Sequence, residues 1–207
     1  MSEVNNKRLR DETKIDEPKS KKQKTEDALT SGFLEVRECE TQCGIFIEYK
    51  VGKNTEYNFG SACKEGCAKI SWLLMTTSLK GLHDGCIAIS PEDPMKKDVV
   101  KYLPGWLLDN NKKNIETIIK KELDKNVAEQ YKIIEFPARK WFIYQHIGGY
   151  DGLPAAWMKA KQIFQDKGYQ WDGSHDYTWF DSFEKYIDDP RKVSPDKLRT
   201  QLWFPMK

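Results

Sequence analysis

Glu184 and Tyr186 have side chains and a spacing that could carry chemistry in this sequence of 207 residues. They lie in residues 176–187, where aromatic and β-branched residues predominate and an Asp-Asp-Pro turn follows, a pattern that predicts a β-strand. Side chains alternate along a strand, so Ser182, Glu184 and Tyr186 share one face while Lys185 lies on the other. In an apolar cleft this carboxylate would receive a cation or, with a raised pKa, act as an acid or base. On an exposed strand it would only contact water.

The composition favours a small-molecule site over a nucleic-acid or membrane surface. Seven tryptophans and an aromatic content of 12% exceed what packing usually needs, which favours a ligand cleft or an interface. With 34 basic and 32 acidic residues the net charge is only +2, so we expect no direct nucleic-acid binding. The chain has neither an apolar run that could span a bilayer nor the apolar core of a signal peptide. We therefore expect a soluble, intracellular protein that does not bind membranes.

The cysteines predict reduced thiols. Their number is odd and no secretion signal accompanies them, which argues against a disulfide framework. Two pairs have the same spacing and His83 lies near them, so a zinc site is an alternative, but zinc knuckles usually have closer spacing. We expect buried free thiols and neither a metal nor a cofactor. The five cysteines are Cys39, Cys43, Cys63, Cys67 and Cys86.

Residues 1–30 predict a disordered charged tail, because they mix basic, acidic and small polar residues without apolar periodicity. Basic clusters at residues 7–10 and 19–24 have the layout of a bipartite nuclear-import signal. The alternative is a solvated tail with no targeting role. The expected location is therefore cytoplasmic or nuclear.

Hydrophobic periodicity predicts two similar halves joined by a helix. In the first half, strands are predicted at residues 33–38, 44–49, 86–90 and 99–108, and a helix at 57–78, which Gly60 and Gly66 weaken. A connector helix is predicted at residues 114–128. In the second half, strands are predicted at residues 131–137, 140–146, 176–187 and 197–204, and a helix at 153–166.

The shared order of elements indicates an internal duplication, with repeat one at residues 33–110, a connector at 111–128 and repeat two at 129–207. A unit this short cannot bury its own sheet, so it must pair with its copy. The predicted fold is α+β: duplicated β-α-β-β units form a curved antiparallel sheet, with two helices on one face and a ligand groove on the other.

The second half contains a series of short motifs whose order and spacing are informative. These motifs are Phe136-Pro137-Ala138, His146-Ile147-Gly148-Gly149-Tyr150, Ala156-Trp157, Phe183-Glu184-Lys185-Tyr186 with Asp189-Pro190, and Leu198-Arg199-Thr200 with Phe204-Pro205. Together with the weaker first repeat they resemble, over roughly residues 33–207, the GyrI-like family, the effector-binding domain of bacterial multidrug-sensing regulators.

The resemblance places Glu184 at the family position whose buried glutamate receives lipophilic cations. Aromatic rings would then stack around the ligand. We expect Trp157 and Phe164 to pack behind the sheet, and His146 to bond the backbone of the adjoining Gly-Gly turn. The candidate ligand-binding residues are Glu184, Tyr186, Tyr144, Trp106, Trp141 and Trp179.

The chain departs from the regulators of that family in two respects. It has no helix-turn-helix domain, so it is not expected to act alone as a transcription factor. In repeat one the place equivalent to Glu184 is filled by the apolar residues 87–89, so the cleft should be asymmetric.

Three functions remain open from the sequence. The first is a stand-alone protein that binds hydrophobic or cationic small molecules through Glu184. The second, implied by a subset of the family, is a metal-independent hydrolase that opens strained cyclopropane rings, with Glu184 as acid/base and Tyr186 or Tyr144 positioning the substrate. The third is a protein-interaction module with an unknown partner.

Overall fold

The computed structural model describes residues 30–92, 97–172 and 182–207. The strands are β1 (Gly32–Cys39), β2 (Gln42–Ile47), β3 (Tyr49–Gly52), β4 (His83–Ile89), β5 (Val99–Leu108), β6 (Tyr131–Phe136), β7 (Arg139–Ile147), β8 (Phe183–Tyr186) and β9 (Arg199–Met206). The helices are α1 (Phe59–Thr76), α2 (Lys112–Glu122), α3 (Lys125–Ala128) and α4 (Leu153–Asp166). The basic clusters of the tail, and Trp179, lie outside the described residues.

Helix α1 begins at a capping box. The Asn58 side chain accepts a hydrogen bond from the Ser61 backbone N–H, and the Ser61 hydroxyl accepts one from the Asn58 N–H. These contacts satisfy two groups that a helix start leaves open, which explains why the helix starts at Phe59. The predicted connector helix is two helices, since α2 ends at Glu122 and a short α3 follows.

The strands form one nine-stranded sheet, and β3 joins it by pairing with β5. The other strands have the order β1-β7-β9-β8-β4-β5-β2-β6, and neighbouring strands in this order are antiparallel. Outward from the central β8–β4 pair the two sides match, with β9 and β5 next, then β7 and β2, then β1 and β6. The order within the sheet therefore has the symmetry that a duplicated unit would give.

The first strand of each half pairs with the other half. β1 pairs with β7, and β6 pairs with β2. The strand that opens each half thus pairs with a strand of the other half rather than with the next strand of its own. The exchange covers the outer edges of β7 and β2, which would otherwise present unpaired backbone groups.

The core has two layers on opposite sides of the sheet. One layer packs under the helices, with Ile45, Tyr102 and Leu108 beneath α1 and Phe142 and Leu202 beneath α4. The opposite layer contains the residues that alternate with these: Phe46, Ile87, Leu103, Trp141, Ile143, Phe183 and Trp203, joined by Phe136. The Phe136 and Phe183 rings lie 5.3 Å apart although β6 is at the edge of the sheet and β8 is central, so the sheet curls around this layer.

The α+β class and the large antiparallel sheet are confirmed. We predicted the groove on the face of the sheet opposite the helices, and this part of the prediction is wrong. Glu184 is in register with Ala88 and Leu202, which both belong to the layers under the helices. The candidate cleft therefore lies on the helix side, because the opposite side is filled by the aromatic layer. None of the helices in the described parts of the chain is both long and apolar enough to cross a membrane.

Candidate functional site

Glu184 lies on the central strand pair and accepts two hydrogen bonds from aromatic side chains. Trp157 Nε1, on α4, donates to Oε1 across 2.8 Å. The Tyr186 hydroxyl, two residues along β8, donates to Oε2 across 2.6 Å. Both carboxylate oxygens thus accept hydrogen bonds from neutral donors. Phe183, the preceding residue of β8, packs in the opposite layer, which confirms the alternation predicted for this strand.

Burial raises the pKa of the Glu184 carboxyl, while the hydrogen bonds from Trp157 and Tyr186 act in the opposite direction. Burial also raises the pKa of Tyr186 well above its usual value, and the neighbouring Glu184 charge adds to this rise. The phenol therefore stays protonated and remains a donor. A carboxyl group with a raised pKa can hold a cation when ionised and supply a proton when neutral.

A second phenol extends this network toward α1. The Tyr102 and Tyr186 hydroxyls lie 3.0 Å apart. Tyr102 is on β5, so the hydrogen-bonded chain runs from Trp157 on α4, through the carboxylate, to the strand beneath α1. This chain of polar groups spans the floor between the two helices.

Two exposed rings border this floor. Tyr150 lies edge-on to Tyr186, with ring centroids 5.5 Å apart, and precedes α4. Phe59 lies edge-on to Tyr102 at 5.2 Å and begins α1. Tyr150 and Phe59 are 39% and 42% exposed, so both residues are accessible to a bound molecule.

The turn that presents Tyr150 is fixed by the local backbone. His146 Nε2 donates to the Gly149 carbonyl oxygen across 3.1 Å, which confirms the backbone role expected for this histidine. Gly148 has φ +137°, a conformation that residues with a Cβ rarely adopt. Gly148 is therefore what allows the chain to turn here and bring Tyr150 over the floor.

Three thiols adjoin the phenols. The Cys63 and Cys67 sulfur atoms of α1 lie 4.0 Å apart, and Cys86 of β4 lies directly opposite Tyr186 in the sheet. The adjacent Cys67 thiol lowers the pKa of Cys63, while burial acts in the opposite direction. All five cysteines are free, but only Cys43 is buried and the other four are partly exposed, so the expectation that all of them are buried is wrong. No group of three or more metal-ligating side chains in the described residues is arranged to hold a metal ion.

The structure brings together only some of the predicted binding residues. Glu184 and Tyr186 are in direct contact, and Trp106 faces the same side because its register partner is Cys86. Tyr144 also faces the helices but is fully buried beneath α4. Trp141 belongs to the opposite layer, so its prediction as a wall of the Glu184 cleft is wrong.

Sequence reasoning missed several residues of the site. Trp157 packs in the core as expected, and it also donates to Glu184. Tyr102 could have been placed from its even spacing to Trp106 on one strand. Phe59, Tyr150 and the three clustered thiols come from separate elements, and no local pattern links them.

The chain belongs to the GyrI-like small molecule binding domain family, whose model matches residues 49–207. A comparison with curated protein sequences found no match.

Three solved structures share the fold. A hydrolase from Listeria innocua is 17% identical, with TM-score 0.54, and the alignment covers 84% of this chain and 91% of that one. The C-terminal domain of EcmrR is 18% identical, with TM-score 0.57 and coverage of 84% and 96%. SAV2435, solved bound to tetraphenylphosphonium, is 12% identical, with TM-score 0.50 and coverage of 84% and 93%. At these identities the similarity concerns the fold.

Proposed function

We propose that this protein binds hydrophobic or cationic small molecules between α1 and α4, with Glu184 as the receptor for the positive charge. The observation that carries the proposal is the pairing of Glu184 with the neutral donors Trp157 and Tyr186. Such donors orient a carboxylate without neutralising it. A cation that enters the cleft would therefore gain a charge partner in a medium of low dielectric.

Aromatic rings supply the rest of the binding energy. Tyr102, Tyr150 and Tyr186 lie around the carboxylate, and Phe59 borders them on the α1 side. A ring facing a cation contributes about 0.5–2 kcal/mol, and burial of a lipophilic ligand adds to this. SAV2435, which shares the fold, was solved with a lipophilic cation, and this supports the choice of such a cation as a probe.

The test compares a cation with a neutral molecule of similar shape. Isothermal titration calorimetry with tetraphenylphosphonium and triphenylphosphine oxide should show that Glu184→Gln weakens cation binding about 10–100-fold, as expected for losing a charge–charge attraction of about 1.5–3 kcal/mol in a partly buried site. Binding of the neutral oxide should change little. Glu129→Gln is the control, because Glu129 is an exposed carboxylate on the connector. An equal loss for both ligands in Glu184→Gln would remove the charge-receptor role.

A hydrolase that opens strained cyclopropane rings is the second candidate. It is supported by the raised pKa of Glu184 beside a phenol, because a neutral carboxyl can protonate the leaving carbon and an ionised one can activate water. The net reaction adds water across one ring carbon–carbon bond, giving one hydroxyl and one new C–H bond. Mass spectrometry of an electrophilic cyclopropane incubated with the protein should show a gain of one water. The same product from Glu184→Gln at an equal rate would exclude this role for Glu184.

A further inference from the structure

Cys63 and Cys67 form a pair of thiols on one face of α1, and the proposed cation site does not use them. Residues four apart in a helix are neighbours on its surface. The two sulfur atoms are 4.0 Å apart, close to van der Waals contact, and both thiols are free. Both residues are partly exposed, so an atom that arrives from solvent can reach the two sulfurs together.

The helix fixes the spacing of this pair. Both cysteines lie in regular turns of α1, whose first turn is closed by the capping box of Asn58 and Ser61. Gly66, which lies between them in sequence, is buried against Pro104 of β5, where a Cβ would clash. The backbone that carries the thiols is therefore held in place, and only side-chain rotation is needed to bring both sulfurs onto one atom. Such preorganisation favours a ligand that needs two contacts.

An aromatic surface adjoins the pair. Phe59 precedes Cys63 by four residues and so lies on the same face of the helix, and it is one of the exposed apolar residues. Its ring meets Tyr102 edge-on at 5.2 Å, and Cys63 packs against the buried cluster that contains Tyr102. A small apolar group held by the two sulfurs could therefore cover the Phe59 ring and lose contact with water.

We propose that Cys63 and Cys67 together bind monosubstituted trivalent arsenicals, with the organic substituent against Phe59. Trivalent arsenic is a soft centre that prefers sulfur ligands, and one of its three bonds is to the substituent. The two thiols supply the other two. With an arsine oxide, two arsenic–sulfur bonds form, the arsenic–oxygen bond breaks, and both thiol protons leave with the oxygen as one water molecule. Arsenic stays trivalent, so no oxidant or reductant is needed, and the Glu184 carboxylate takes no part.

Phenylarsine oxide tests the site directly. The protein is first reduced with a phosphine, because a dithiol reductant would compete for the arsenic. Native mass spectrometry should show one phenylarsenic group gained and two hydrogens lost per chain. Peptide mapping after brief labelling with N-ethylmaleimide should show Cys63 and Cys67 protected together, while Cys39, which is partly exposed in the opposite layer, is still labelled. Protection of only one member of the pair, or of neither, would overturn the proposal.

Variants with a matched number of thiols test whether both sulfurs bind one arsenic. Cys63→Ser and Cys67→Ser should each weaken phenylarsine oxide binding by about 100-fold or more, because the second bond is then no longer intramolecular. Cys67→Ser combined with Ala68→Cys restores five cysteines at an exposed position, but this spacing turns the second thiol away from Cys63. The double variant should therefore bind as weakly as Cys67→Ser, and wild-type affinity in it would overturn the proposal. Circular dichroism confirms that each variant is folded.

Two further variants test where the arsenical lies. Cys86 is opposite Tyr186 in the sheet, so it is the alternative partner for a thiol of α1. Cys86→Ser should bind phenylarsine oxide like wild type, and a loss as large as that of Cys67→Ser would overturn the assignment to the helix pair. Phe59→Ala should reduce the preference for phenylarsine oxide over methylarsine oxide by about 3–10-fold, as expected when the larger substituent loses its apolar contact. An unchanged preference would contradict the placement of the substituent against Phe59.

Discussion

Ala88 on β4 lies directly opposite Glu184 on β8, in the strand pair where the two halves of the sheet meet. Directly opposed residues share a face and have Cβ atoms about 4.5–5.5 Å apart. One half of the protein thus contributes a carboxylate to this position and the other contributes a methyl group. Because of this asymmetry, no second carboxylate lies opposite Glu184 in the strand pair.

A second carboxylate at this position should be costly. Ala88→Glu would place two carboxyl groups side by side in a partly buried site, and the two cannot both ionise easily. We expect the free energy of unfolding of Ala88→Glu, measured in urea at pH 7.5, to be about 1–3 kcal/mol lower than that of Ala88→Gln. The difference should shrink at pH 4.5. Burial and the neighbouring carboxyl raise the folded-state pKa of the pair, so at low pH the carboxyls are protonated and no longer repel, whereas the repulsion destabilises the folded protein as pH rises. A gap between the two variants that is the same at both pH values would contradict the like-charge explanation.

Protons should compete with cations at Glu184. Its folded pKa is raised by burial, so the ligand-free protein holds a proton to higher pH than the unfolded chain, whose Glu pKa is about 4.3. Tetraphenylphosphonium has a fixed charge and binds the ionised form. Its affinity measured by calorimetry should therefore fall by about tenfold per pH unit below the folded pKa.

The same linkage predicts the effect on stability. The contribution of Glu184 to the free energy of unfolding is fully present below about pH 4.3 and is lost as pH rises through the folded pKa. The free energy of unfolding of wild type relative to Glu184→Gln, measured in urea, should therefore decline as pH rises over this range. Cation affinity that is flat from pH 4.5 to 7.5 would show that Glu184 does not titrate in the site.

Asp188 and Asp189 are adjacent carboxylates that should differ in their effect on stability. Asp188 accepts from the Arg199 guanidinium at 2.7 and 2.9 Å and from its backbone N–H, and it ties the end of β8 to β9. The side chain is only 11% exposed, and these bonds lower its pKa. We expect Asp188→Asn to cost about 1–3 kcal/mol in urea unfolding at pH 7.

The neighbouring carboxylate is the control. Asp189 pairs with Arg191, which is 86% exposed, so Asp189→Asn should change stability little.

Because the folded pKa of Asp188 is depressed, the contribution of Asp188 to stability is present above the unfolded pKa of about 3.9 and is lost as pH falls through the folded pKa. Similar losses from the two substitutions at pH 7 would mean that the β8–β9 anchor is not specific to Asp188.

The sequence predicted the local alternation at Glu184 but not the neighbours that complete its site. Trp141 and Tyr144 are separated by an odd number of positions on β7, so they could never have faced the same cleft, and the period-two rule could have excluded one of them. Trp157 was correctly placed on the buried stripe of α4, but its reach to Glu184 depends on how that helix crosses the sheet. The exchange of β1 and β6 and the position of Cys86 opposite Tyr186 depend on long-range pairing, which local patterns do not encode.

Gly60 and Gly66 also show that local sequence patterns do not predict packing. Both glycines lower the helix propensity of α1 equally, but their surroundings in the folded protein differ. A Cβ on Gly66 would come within 2.4 Å of Pro104 Cγ and 3.2 Å of Tyr49 Cε2, whereas at Gly60 its closest neighbour is Asn58 Oδ1 at 3.4 Å. Gly60→Ala should therefore stabilise the protein by up to about 1 kcal/mol through helix propensity. Gly66→Ala should destabilise it by about 1–3 kcal/mol despite the same gain, because α1 would be pushed from β5. Urea unfolding of the two variants should move the midpoint in opposite directions, and a higher midpoint for both would show that Pro104 does not limit the approach of α1.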